Sequence, residues 1–156
     1  MEIDGVPLHP LIVHAAVVFT PLAGLLAIAF AVVPRWRWLS RWPTAVGALA
    51  ALGSVLLAKL SGESFLDARP ELAPAVRVHQ DRADLLMWVV IGFFVIVAAA
   101  VWMLGSTTPL PSGRGARDSV ASWADKLLPI LVVLSSLAVI VQVVLTGDAG
   151  SRAVWG

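Results

Sequence analysis

The chain has no cysteine. That excludes disulfides, thiolate metal sites and a cysteine nucleophile together, and it removes any redox clue to compartment. Charge is scarce as well: 13% of the 156 residues are Asp, Glu, Lys or Arg, where a soluble domain carries about 25%. The formal charge is +1 and no basic face stands out, which argues against a nucleic-acid partner. Basic residues are missing ahead of the first apolar run, where Glu2 and Asp4 stand instead. A cleavable signal peptide wants positive charge there, so the run reads as a retained span. No Asp/Glu pair lies inside an apolar run, which argues against a proton pump or channel. Ser61 or Ser64 near His79 offers a hydroxyl and a base, but no nucleophile-elbow motif accompanies them. The reading leans away from an enzyme.

What the chain does have is apolar sequence, 59% by residue, with a mean hydropathy of +0.89. Four segments stand out, 11–33, 43–60, 85–104 and 127–146, each near the roughly 20 residues needed to cross hydrocarbon. The third is extended backwards. Pro74 is placed to open a helix that runs unbroken through residue 104, giving 74–104 with a pre-membrane turn. Val76, His79, Ala83, Leu86 and Val90 then form one stripe that points inward. These segments predict an all-α, integral membrane, four-helix up-down bundle, one transmembrane domain over residues 1–156 in a lipid bilayer. The connection 105–126 reads as a flexible polar loop. Pro21 lies inside the first span and predicts a kink. Pro129 falls near the start of the fourth helix. Gly47, Ala51, Ser54 and Ala58 make one small face on the second, where a neighbour can approach closely.

Lys and Arg number six on one side of the bundle and five on the other. Arg35, Arg37 and Arg41 break the near-tie, because they crowd a short loop beside two membrane ends without any acid. The sequence therefore predicts a multi-pass protein of the cell membrane with both termini extracytoplasmic. Trp36, Trp38, Trp42, Trp102 and Trp123 fall near the inner ends and Trp88 and Trp155 near the outer ends, as an interfacial belt requires.

Up-down connectivity brings four helix ends to one side whatever the orientation. His9, His14, His79, Lys59, Glu63, Gln142 and Asp148 all belong to those ends, and polar groups at membrane depth are functional candidates. Each also has an ordinary role: His9 as a cap, His14 and His79 as local hydrogen-bonding groups, Lys59 paired with Glu63, Gln142 as interhelical glue, and Asp148 as a helix-end turn residue. The sharper reading joins His14 and His79 as axial ligands of a b-type haem. The competing site is a divalent metal held by His9, His14, His79 and a carboxylate from Glu63 or Asp148. His9 and His14 lie five residues apart, about 140° around an ideal helix, so they do not share a face.

The opening stretch from Gly5 to His14 (GVPLHPLIVH), Ser61-Gly62-Glu63, His79 and the closing stretch from Thr146 to Trp155 (TGDAGSRAVW) resemble the bacterial domain-of-unknown-function 2231 membrane proteins. The resemblance covers nearly the whole chain and implies a four-helix membrane protein without an assigned activity. It also implies that His9, His14 and His79 occupy family histidine positions. Asp148 departs from the closing pattern, in which relatives carry histidine, and a carboxylate is a poor axial haem ligand.

Two functions follow as expectations. One is a binding module whose outer-leaflet histidines hold a b-type haem or a divalent metal for electron transfer. The other is a structural accessory subunit with no cofactor, meeting a membrane-protein partner or further copies of itself through the small face of the second helix.

Overall fold

The computed structural model describes residues 2–3 and 6–155. Asp4 and Gly5 lie outside the described residues, and within the opening stretch side chains are described for His9 and for residues 11–14. Among the described residues there are four α-helices: α1 (Leu8–Val32), α2 (Arg37–Asp67), α3 (Ala73–Met103) and α4 (Ala124–Trp155). Two-residue strands, β1 (Glu2–Ile3) and β2 (Val6–Pro7), pair antiparallel ahead of α1. All four helices are long and apolar enough to cross a membrane.

The helices form a ring in chain order, α1 packing on α2 and α4, and α3 on α2 and α4. Only helices or closed barrels satisfy every backbone group in hydrocarbon, and long apolar runs give the helical solution here. On α1 the buried positions are mostly small, with Ala16, Thr20, Ala23, Ala27 and Ala31 recurring at helical spacing, whereas Leu11, Val18, Leu22 and Leu25 face outward. Small residues inside and large ones outside are the pattern of helices that pack by close approach and meet lipid on their other face.

Gly47 and Gly24 lie where helices meet. A Cβ on Gly47 would stand 3.7 Å from the Cα and Cβ of Ala23, and one on Gly24 would stand 2.9 Å from two side-chain carbons of Ile140. Ala51 on the same α2 face is fully buried and Ser54 nearly so. The small face expected to meet a partner is thus covered by the chain's own α1, a correction to the accessory-subunit reading. The inward stripe on α3 is present, Leu86 and Val90 buried and Val76, His79 and Ala83 partly so.

The helices run further than their apolar cores. Pro43 lies inside α2, which starts at Arg37 after a 3-10 turn, and Pro129 lies inside α4. With Pro21 in α1, these prolines leave the carbonyls of Val17, Leu39 and Asp125 without the usual amide partner. Gly147 and Asp148 are mid-helix in α4 and make no turn. The connection after α3 is pinned to itself. Ser106 and Arg117 exchange two backbone hydrogen bonds, and Gly113 and Gly115 adopt positive φ of 67° and 90°, a conformation that glycine reaches without steric cost.

Candidate functional site

His9 sits in the first turn of α1, just before the span that begins at Leu11. Its Nδ1 lies 2.9 Å from Ser61 Oγ on α2, and Ser61 Oγ in turn donates to the Ala58 carbonyl at 3.0 Å. A serine hydroxyl has one proton. With that proton on the Ala58 carbonyl, the His9–Ser61 bond runs from an Nδ1–H to the hydroxyl oxygen; with the hydroxyl turned to the ring, Ser61 donates to Nδ1. The ring stacks on Phe65 at 6.2 Å between centroids, and it lies over Gly62, where a Cβ would come within 3.0 Å of Cε1.

His79, near the start of α3, repeats this arrangement against α4. Its Nδ1 lies 3.0 Å from the Thr146 carbonyl oxygen, which can only accept, so Nδ1 carries the proton. A Cβ on Gly150 would stand 3.0 Å from Nδ1 and 3.1 Å from Cε1. Each helical hairpin therefore seats the histidine of its first helix on a glycine and an oxygen at the end of its second. In a neutral ring this tautomer puts the lone pair on Nε2, as it is in imidazoles that ligate metals through that atom.

Protonation of His9 is held below its ordinary value, first by burial, then by the nearby His79, with a backbone bond to Ala58 working the other way. Neutral His9 is therefore favoured near pH 7.

The remaining sequence candidates go elsewhere. His14 is exposed; it stands two positions before buried Ala16, which is about 200° of helix rotation, so it lies across α1 from the core. Glu63 pairs with Lys59 at 2.8 Å, and Lys59 also bonds Asp84 on α3. Asp148 pairs with Arg152 at 2.9 Å. Among the described residues no group of three or more His, Cys, Asp or Glu is arranged to hold a metal ion. The structure does not gather His9, His14, His79, Glu63 and Asp148 into one ligand set. Gln142 is interhelical glue: its Nε2 donates to the Arg82 carbonyl at 3.1 Å, beside Thr146, whose hydroxyl reaches the same carbonyl or that of Gln142.

Two features escaped the sequence reading. The hairpin repeat leaves little sequence trace, because the seat glycine follows the oxygen-bearing residue directly at Ser61-Gly62 but lies four residues beyond Thr146 at Gly150. The other feature is at the far end, where Arg37 and Arg41 are buried rather than in a loop. Arg37 donates to the Phe30 and Ala31 carbonyls that end α1, and Arg41 to the Val101 and Leu104 carbonyls that end α3. Their i, i+4 spacing, which places both on one helix face, was the available signal.

No curated protein and no solved structure matches the chain. The family described as Predicted membrane protein (DUF2231) matches residues 5–156. With four apolar helices and a family match over almost its full length, the chain belongs to the DUF2231 family of predicted membrane proteins.

Proposed function

We propose that this protein is a membrane electron-transfer module that binds a b-type haem at the histidine end of its bundle, with His9 and His79 as the axial imidazoles. One observation carries the reading: both rings place Nδ1 against an oxygen of the neighbouring helix, His79 as donor to a carbonyl, so that both imidazoles stand at the same end of the bundle with Nε2 outside those bonds. Haem iron takes two axial ligands from protein, whereas a divalent metal takes three or four, so a two-imidazole set favours haem over the metal alternative. Bound haem would supply one-electron redox chemistry; the chain's own residues would fix ring orientation and tautomer. His14, on the outer face of α1, has no part in this pair.

In the same proposal the histidine end is extracytoplasmic, with both termini. The charge distribution supports this orientation: the other end carries Arg35, Arg37, Arg41, Arg114, Arg117 and Lys126 against Asp118 and Asp125 alone.

Protein purified in mild detergent after haem supplementation should give a Soret band that His9→Ala and His79→Ala each abolish. A protein with neither a Soret band nor stoichiometric metal overturns the reading, and stoichiometric metal without a Soret band overturns its haem part.

A second reading rests on the same bonds. Each ring ties the two helices of its hairpin together, so the histidines serve as clasps in a structural subunit. In that case both alanine variants lower the unfolding temperature and no cofactor spectrum exists to lose.

A further inference from the structure

A cavity of about 600 Å³ opens at the arginine end, between the α1–α2 turn and the loop that follows α3. Arg37, Arg117, Thr107, Thr108, Asp118 and Asp125 supply much of its polar lining. Arg37 is nearly buried and spends N–H groups on the carbonyls of Phe30, Ala31 and Gly105; its nearest carboxylate, Asp125, is 4.0 Å away and 41% exposed. The Arg117 guanidinium carbon lies over the Trp102 ring, 5.1 Å from its centroid. Among the described residues it makes no ion pair, and its side chain donates no hydrogen bond. Deeper in, the partners of Arg41 are neutral: two carbonyls and the hydroxyl of Ser106. Arg37 and Arg117 both lie close enough to Arg41 for their like charges to act on it. Positive charge at this end is thus under-compensated.

Depth identifies the source of a compensating anion. Trp36, Trp102 and Trp123 are exposed around this end, and an exposed indole belt marks the headgroup layer. A guanidinium fork held over an indole is preorganised for phosphate oxygens, and basic pockets at helix ends are where anionic headgroups bind. We propose that this cavity binds the phosphate of an anionic phospholipid, with Arg117 as its main contact and the Thr107 and Thr108 hydroxyls beside it. With Arg41 behind the lining, three guanidiniums stand against the carboxylates of Asp118 and Asp125, so one negative charge is the most the pocket would accept, which suits a phosphodiester better than a phosphomonoester.

The test compares unfolding midpoints in nanodiscs of phosphatidylcholine with and without phosphatidylglycerol. Phosphatidylglycerol should raise the wild-type midpoint by about 2–4 °C. Arg117→Gln and Thr107→Glu should remove that rise, Arg117→Lys should keep part of it, and Arg114→Gln, in the same loop but outside the cavity, should keep all of it. If Arg117→Gln fails to reconstitute, Thr107→Glu carries the comparison. Equal wild-type midpoints in the two lipids overturn the proposal, as does an undiminished rise in Arg117→Gln or Thr107→Glu. Loss of the rise in Arg114→Gln would show a diffuse surface effect and overturn the pocket. A rise reproduced by the soluble phosphodiester glycerophosphoglycerol in phosphatidylcholine discs overturns the lipid source.

Discussion

The imidazole of His9 lies directly over Gly62, so close that a methyl group there would stand 3.0 Å from Cε1. His79 has the same relationship to Gly150. These glycines are seats for rings, since both lie inside helices where alanine would otherwise be the better residue.

The seats give a prediction in which sign matters. Gly62→Ala and Gly150→Ala should each destabilise by about 1–2 kcal/mol, because overpacking against a ring outweighs the helix-propensity gain. Gly147→Ala, where an added Cβ meets nothing within 4 Å, should stabilise by up to about 1 kcal/mol. Thermal unfolding in detergent separates them, and stabilisation by all three substitutions would remove the seats as an explanation.

Protonation of His9 gives a second prediction. Its value in the folded protein lies below the ordinary 6.5, so the unfolded chain takes up the proton first as pH falls. Stability from this residue is therefore complete above 6.5 and declines through the window just below it. Unfolding midpoints measured from pH 8 down to pH 5 should fall, and His9→Gln should flatten that part of the curve. An unchanged slope in the variant would assign the loss to other groups.

The four spans were legible because each apolar run reaches membrane length, a signal that tertiary context does not override. Helix ends were not legible by the same means. Arg37–Trp42 and Ser61–Asp67 are polar enough to end a span yet continue α2 as helix, since hydropathy measures solvent preference and not backbone conformation. Gly147 misled in the same way, as a stop signal that α4 runs through. At the site, the 140° between His9 and His14 meant that only one could face the core. Choosing between them required the phase of α1, set by Ala16, Thr20 and Ala23; the choice of His14 with His79 therefore lacked its deciding information. The inward stripe through His79 needed only local periodicity and was readable.

Among the described residues three hydroxyls are buried without a hydrogen-bond partner: Thr20 and Thr44 Oγ1 and Ser136 Oγ. Replacing an unpaired buried hydroxyl by a group of the same shape removes a desolvation penalty of about 1–3 kcal/mol. Thr20→Val and Thr44→Val, which keep the side-chain outline, should raise the unfolding midpoint. Ser136→Ala should gain less because it leaves a small void. A fall in midpoint for both valine variants would mean that these hydroxyls are hydrogen-bonded in the membrane.

Arg41 is the sharpest test of how the opposite end is held. Its guanidinium reaches across from α2 to the Val101 and Leu104 carbonyls, at the end of α3 where the last carbonyls have no intrahelical amide. The contact is that of a C-terminal cap supplied by another helix, charge-assisted and complementary to the negative end of the helix dipole. Arg41→Ala should cost about 3 kcal/mol, the upper end for hydrogen bonds to a charged group, because two buried carbonyls lose their donor. Arg41→Lys keeps the charge but places one compact ammonium where a planar fork bridged two acceptors, so it should recover only part of that loss. Full recovery by lysine would show that charge at the helix end is sufficient and that the bidentate geometry adds nothing.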